Sequence, residues 1–241
     1  MTDEVIIERR QFILEITLNR PDHGNALTPA MTDAIAVALT NVDAEVRVVH
    51  LRAEGDDFCT GRSAIMPKPG TRLTAHEIRG IVSDPVLDFY QAVRDAPVPV
   101  VAEVRGRAEG VGCALAALAD VAIAAEDAVF CVPEMNRDIA PTLVMDALAD
   151  RLPRAALARL VLTRDPFGAQ EAKALGIVGM VAPSDEVAAE ATRIVDKLAG
   201  NSVVAVRSVK AFLLRAPESS GATRRELAAL LNAAAAAEKY R

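Results

Sequence analysis

The sequence contains no tryptophan, and aromatic residues make up only 3% of its 241 residues. Alanine, valine and leucine must therefore supply most of the side chains of its core. No apolar run approaches the length of a membrane-spanning helix, and the N-terminal residues lack the apolar stretch of a signal peptide. We therefore expect a cytoplasmic protein that does not bind membranes.

An excess of positive charge is also absent, since the formal net charge is −6. Binding to nucleic acids depends on positive surface charge, so the composition argues against a nucleic-acid partner. The three cysteines, Cys59, Cys113 and Cys131, are far apart and have no histidine nearby. Their spacing does not match a metal site, and they are predicted to be reduced and buried.

The order of the predicted elements indicates an α/β fold. Apolar and polar residues alternate over residues 12–18, which predicts a half-buried strand, and a second strand is predicted over 46–52. Strands alternate with helices in the first part of the chain, and only helices follow. We predict an α/β core over residues 1–183 and a helical C-terminal region over 184–241. Residues 65–75, rich in proline and glycine, are predicted to form a mobile loop.

Two glycine turns are candidate sites for binding a negatively charged oxygen. Gly110, Val111 and Gly112 follow a predicted buried strand and begin a helix of small residues, and the glycines let a ligand approach the backbone. Gly61 lies in a second turn that follows the strand predicted over 46–52. One N–H from each turn would give the pair of donors that an oxyanion hole needs. The alternative for Gly110–Gly112 is a tight turn with close helix packing.

A third candidate is Glu134, which follows a predicted strand and Pro133. Functional side chains are often found where strands end, so Glu134 is a candidate acid or base. The alternative is an acid in a solvated loop, which is the commoner case for an isolated glutamate.

Together these segments resemble the crotonase superfamily, also called the enoyl-CoA hydratase/isomerase family. The resemblance covers roughly residues 5–215, and it rests on the order and spacing of short motifs. The motifs are ITLNRP at 16–21, NAL at 25–27, FCTG at 58–61, PVPVVA at 97–102, GVGC at 110–113, Asp120, Pro133-Glu134, RLPR at 151–154, Ala172, LGIV at 175–178, AVR at 205–207 and Lys210.

The resemblance implies a crotonase-like spiral of ββα units with a helical C-terminal trimerisation region. It also implies a homotrimer or hexamer that acts on an acyl-CoA thioester. Coenzyme A would then be part of the substrate, and no separate cofactor and no metal is expected.

The resemblance also assigns roles to individual residues. The backbone N–H groups of Arg62 and Val111 would form the oxyanion hole, and Glu134 would transfer a proton. Most family members have glycine at the position of Val111. Basic side chains would meet the coenzyme A phosphates, with Arg20, Lys68 and Lys210 as candidates. Residues expected along coenzyme A or at the turn that it approaches are Gly24, Asn25, Ala26, Thr60, Gly61 and Gly110.

The chain also departs from the family pattern. Hydratases of the family typically use a second glutamate, and Ala114 stands at its position. Asp138 and Glu109 are the candidates to replace it. The alternative for Asp138 is an acid of a surface loop, and the alternative for Glu109 is an acid whose charge stabilises the N-terminus of the following helix. The sequence PTLVM at 141–145 replaces a glycine-rich stretch that shapes the acyl end of the pocket.

We therefore predict an enoyl-CoA isomerase or hydratase in which Glu134 is the acid or base. One alternative is another reaction through an enolate or oxyanion, such as C–C hydrolysis, decarboxylation or thioester hydrolysis. A second alternative is a protein that binds acyl-CoA without catalysis.

Overall fold

The computed structural model describes residues 4–63 and 70–240. Within these residues the backbone forms one sheet of six strands and another of three. The strands are β1 (Val5–Arg10), β2 (Ile13–Leu18), β3 (Val48–Ala53), β4 (Val100–Val104), β5 (Arg107–Glu109), β6 (Val121–Ala125), β7 (Val129–Cys131), β8 (Phe167–Gly168) and β9 (Met180–Ala182). The larger sheet has the order β1-β2-β3-β4-β6-β9 and the smaller sheet the order β5-β7-β8.

The larger sheet is mixed. Strands β1 and β2 form an antiparallel hairpin, and every later strand of this sheet pairs in parallel with its neighbour. The predicted α/β class is confirmed. Strand β1 has no counterpart among the predicted strands, because its last four residues are exposed and its sequence does not alternate between apolar and polar residues.

Helices cover both the connections between strands and the C-terminal part of the chain. Thr28 caps α1 by accepting a hydrogen bond from the Met31 N–H at 3.3 Å, and Pro29 occupies the first helical position. The helices are α1 (Pro29–Thr40), α2 (Ala75–Ile78), α3 (Asp84–Arg94), α4 (Val111–Leu118), α5 (Thr142–Ala149), α6 (Arg154–Thr163), α7 (Ala169–Leu175), α8 (Val187–Ala199), α9 (Val203–Arg215) and α10 (Gly221–Ala237).

Three short 3₁₀ helices, Pro21–His23, Glu134–Arg137 and Glu238–Tyr240, and a π-helical turn, Arg79–Ser83, complete the described elements. Of the loop predicted at 65–75, residues 65–69 lie outside the described residues. Residue 75 already begins α2, which a capping box at Thr74 stabilises.

The C-terminal helices differ in how they contact the core. Helix α8 packs on strands β3, β4 and β6 and buries Val187, Ala191 and Val195, so the packing of the core continues beyond residue 183. Helix α10 packs on α9 but buries none of its own residues. The trimerisation role of this region stays a prediction. No helix within residues 4–63 and 70–240 has both the length and the hydropathy needed to cross a membrane.

The small sheet brings two chain segments to the same edge. Strands β5 and β7 are parallel, and their last residues, Glu109 and Cys131, are paired in the register. The Gly110 N–H extends this pairing by donating to the Cys131 carbonyl at 2.9 Å. The turn at Gly110 and the segment that carries Glu134 therefore leave the sheet side by side.

The backbone at Gly112 packs closely against the backbone at Cys59 at this edge. A Cβ atom at Gly112 would lie 2.1 Å from the carbonyl oxygen of Cys59. Because that atom belongs to the backbone, a Gly112→Ala variant must shift the chain, and we expect it to lose about 2 kcal/mol or more of unfolding free energy in urea.

Gly80→Ala is the matched control, since no heavy atom lies within 4 Å of the position of its Cβ. Alanine favours helical backbone, so the control is expected to gain up to about 1 kcal/mol. Equal stabilities of the two variants would show that the contact at Gly112 is not close.

Candidate functional site

A cavity of about 440 Å³ lies where the edge of the small sheet meets helices α3, α4 and α5. Arg62, Val111 and Glu134 all line this cavity, which we call the central cavity. The structure thus brings together the two turns and the glutamate that the sequence analysis singled out separately.

The Arg62 N–H faces away from its neighbouring strand segment. Leu27 donates to the Gly61 carbonyl at 2.9 Å and accepts from the Ser63 N–H at 2.8 Å, which forms an isolated parallel bridge around Arg62. In such a bridge the N–H of the central residue points to the opposite side. No acceptor within the described part of the chain receives this N–H.

The Val111 N–H is available for a different reason. Val111 is the first residue of α4, and the first N–H groups of a helix have no acceptor inside the helix. Gly110 precedes it with φ 52° and ψ −111°, a conformation that favours glycine. Across residues 4–63 and 70–240, no other acceptor takes the Val111 N–H.

Glu134 lies in close contact with the same turn. A Cβ atom at Gly110 would lie 2.5 Å from Glu134 Oε1, so glycine at 110 leaves space for the carboxyl group. Glu134 Oε2 is buried and has no hydrogen-bond partner among the described residues. Burial raises the pKa of Glu134, and the positive charges of Arg137 and Arg62 act in the opposite direction.

Three further titratable side chains line the central cavity: Glu109, Arg137 and Tyr90. Glu109 was among the candidates from the sequence, whereas Tyr90 and Arg137 were missed. Val82, Val86 and Tyr90 recur every fourth residue and all line the cavity, so a helical stripe was the available signal for Tyr90.

Asp138 does not reach the cavity. It is exposed and ends the 3₁₀ helix Glu134–Arg137 in a left-handed conformation with φ 53°. It is not among the residues that line the cavity, so the alternative of a surface acid describes its position. Ala114 is buried within α4, and Leu143 and Val144 of the altered 141–145 stretch form an apolar wall of the cavity.

The residues expected along coenzyme A divide into two groups. Ala26, Thr60, Gly61 and Gly110 line the central cavity. Gly24 and Asn25 do not line it, and both form hydrogen bonds within the protein. The Gly24 carbonyl accepts from the N–H and the hydroxyl of Thr60.

Asn25 is fully buried, with φ 53°. Its side-chain nitrogen donates to the carbonyls of Glu54 and Asp57, and its oxygen accepts from the Arg20 N–H. The side-chain nitrogen and oxygen are thus both occupied by contacts within the protein, so the prediction that Asn25 contacts coenzyme A is wrong for its side chain.

The basic residues proposed for the phosphates are differently placed. Lys210 is buried, and its Nζ lies 2.8 Å from Asp120 Oδ2, so the ion pair leaves it unavailable and the prediction for Lys210 is wrong. The Arg20 side chain is largely buried, pairs with Glu4 at 3.0 Å and donates to the Ala26 carbonyl. Lys68 lies outside the described residues.

The fold has the architecture of the crotonase superfamily: a mixed six-stranded sheet, a small sheet beside it and a helical C-terminal region. The sequence profile of one family in this class, described as enoyl-CoA hydratase/isomerase, matches residues 8–240. The chain belongs to the enoyl-CoA hydratase/isomerase family.

Individual relatives agree with this assignment. The chain is 32% identical over 198 residues to the enoyl-CoA hydratase domain-containing protein 3, mitochondrial, of Rattus norvegicus; the match covers 80% of this chain and 65% of that relative's length. An enoyl-CoA hydratase structure from Mycobacterium smegmatis superposes with a TM-score of 0.87 at 29% identity, covering 95% of this chain and 90% of that one.

A Thermobifida fusca YX structure in complex with CoA has a TM-score of 0.87 at 26% identity and covers 98% of this chain and 94% of its own.

Because the pKa of Glu134 is raised, we expect its ionisation to lower the stability of the folded protein. A carboxyl group whose pKa is higher in the folded than in the unfolded state favours folding less as the pH rises through that range. Glu134→Gln is therefore expected to have a higher Tm than the wild type at pH 8. The difference should close below the ordinary pKa of 4.5, where the group is protonated in both states.

Asp138→Asn serves as the control in the same thermal unfolding experiment, because Asp138 is an exposed acid four residues away. A Glu134→Gln advantage that grows as the pH falls would contradict the assignment.

Proposed function

We propose that the protein is an enzyme that binds an acyl-CoA thioester in the central cavity and transfers a proton next to its carbonyl group. The substrate is an enoyl-CoA, and the reaction is hydration or double-bond isomerisation. The observation that carries this proposal is the Glu134 carboxyl group, whose buried Oε2 has no hydrogen-bond partner among the described residues, in a cavity that Arg62 and Val111 also line.

In this proposal the Arg62 and Val111 N–H groups bind the thioester oxygen. Proton transfer at C2 places negative charge on that oxygen as an enolate forms. Fixed N–H donors stabilise this charge more in the transition state than in the ground state, and one such donor is typically worth about 2.7–4 kcal/mol. The position of Val111 at a helix N-terminus adds a favourable dipole.

Glu134 is the proton carrier. Its raised pKa brings it closer to neutral pH, where one group both takes and gives a proton effectively.

Glu109 favours hydration. It lines the cavity with Glu134, so two carboxyl groups are available although Ala114 is not acidic. One carboxylate would take a proton from a water molecule as the water oxygen bonds to C3. The other carboxyl group, as the acid, would give a proton to C2. No separate cofactor is proposed, since coenzyme A enters as part of the substrate.

Isomerisation is the second candidate, and the buried Ala114 favours it. A single group at Glu134 suffices to move a proton between C2 and C4. Binding of coenzyme A is supported by the fold shared with the Thermobifida fusca protein that is in complex with CoA. Ala26, Thr60 and Gly61 are the residues that we propose to contact it.

The test is a turnover screen with 2-enoyl- and 3-enoyl-CoA thioesters of increasing chain length. Turnover is monitored through the absorbance of the conjugated thioester. We expect Glu134→Gln to lower kcat by at least about 10²-fold, because it removes the proton carrier. Glu109→Gln should reduce hydration but leave isomerisation largely intact.

Asp138→Asn is the matched control and is expected to keep wild-type turnover. Wild-type kcat in Glu134→Gln, or a folded wild-type protein that turns over no enoyl-CoA of any length, would overturn the proposal.

A further inference from the structure

Tyr90 has a buried hydroxyl group that no described residue pairs. The residue is fully buried at the middle of α3 and lines the central cavity. No group in the described part of the chain forms a hydrogen bond with its oxygen. A buried hydroxyl is ordinarily paired, so an unpaired one in a cavity wall is the feature that a ligand can satisfy.

The Arg62 side chain is a second donor in the same wall without a partner among the residues that the structure describes. Arg62 lines the central cavity and is only partly exposed. Within residues 4–63 and 70–240, no carbonyl or carboxylate accepts a hydrogen bond from its guanidinium group, and no ion pair includes it. The guanidinium keeps its charge in proteins, so a partly buried one favours an anionic partner.

The two groups are close enough to act on each other. Burial raises the pKa of Tyr90 well above its usual range, the Glu134 charge raises it further and the Arg62 charge lowers it. Burial lowers the pKa of Arg62, whereas Tyr90 and Glu134 raise it. Tyr90, Arg62 and Glu134 therefore share one electrostatic environment, while Glu134 makes no ion pair with Arg62.

Part of the surrounding wall is apolar. Val82 and Val86 line the cavity on the side of Tyr90, and Leu143 and Val144 line it from α5. A saturated alkyl tail would contact these walls well but would leave the Tyr90 hydroxyl and the Arg62 guanidinium without acceptors. An acyl group with an acceptor at its far end would satisfy both the walls and the donors.

We propose that the acyl group of the substrate carries a second, terminal carboxylate, which accepts hydrogen bonds from the Tyr90 hydroxyl and the Arg62 guanidinium. The proposal rests on the proposed function, since it assumes that the cavity takes an acyl-CoA. A carboxylate fits better than a neutral carbonyl, because it offers two acceptor oxygens and neutralises the charge of the guanidinium. The substrate class is thus a CoA monothioester of a dicarboxylic acid.

The experiment measures binding without turnover. Saturated thioesters have no double bond to hydrate or shift, so titration calorimetry with adipyl-CoA and hexanoyl-CoA, which have the same carbon number, isolates the effect of the terminal carboxylate. We expect wild-type protein to bind adipyl-CoA at least about tenfold more tightly, since a hydrogen bond to a charged group is worth more than one decade of affinity.

Tyr90→Phe and Arg62→Gln should each remove most of this preference. Tyr90→Phe removes only the hydroxyl group, and circular dichroism would verify that both variants fold. Tyr240→Phe changes the only other tyrosine of the chain, which is 90% exposed, and Arg225→Gln changes an exposed arginine of α10. These two controls should keep the wild-type preference for adipyl-CoA.

Equal affinities of wild-type protein for the two thioesters would overturn this inference and leave the proposed function in place. The inference would also be overturned if Tyr90→Phe weakened both thioesters equally, because the hydroxyl would then support Glu134 or the fold. No binding of either thioester to folded protein would overturn the inference and the proposed function together.

Discussion

The arrangement of the site depends on close backbone contact at the turn that begins α4. A side chain at Gly112 would collide with the Cys59 carbonyl, and one at Gly110 would collide with the carboxyl group of Glu134. These two contacts place the turn at Gly61 and the segment of Glu134 on either side of the first residue of α4. The same glycines that permit the packing therefore also position the groups that line the central cavity.

The second constraint is electrostatic. The cavity holds a carboxylate oxygen of Glu134 and a hydroxyl of Tyr90 that are both unpaired within the described part of the chain, and neither arrangement favours folding. Groups of this kind are typical of sites where a ligand supplies the missing partner. The buried ion pair of Lys210 and Asp120 shows the contrasting case, in which the protein satisfies its own charges.

Much of the fold and part of the site followed from the sequence, because they depend on local patterns. Alternation predicted β2, and glycine spacing identified the turns at Gly61 and Gly110. The exposed strand β1 lacked such a pattern. Tyr90 was not predicted because its environment is made by α4, α5 and Glu134, which are distant in sequence. The same reason explains the errors for Asn25 and Lys210, whose partners only the folded chain brings close.

The central claim is that two backbone N–H groups meet one thioester oxygen. Infrared difference spectroscopy of hexanoyl-CoA labelled with carbon-13 at its carbonyl tests this directly, since strong donors lower the carbonyl stretching frequency. We predict a lower frequency in the wild-type complex than in water, a smaller shift in Val111→Pro, which lacks this N–H but suits the first helical position, and a retained shift in Val111→Ala. An unshifted carbonyl band, or an equal shift in Val111→Pro, would contradict the account.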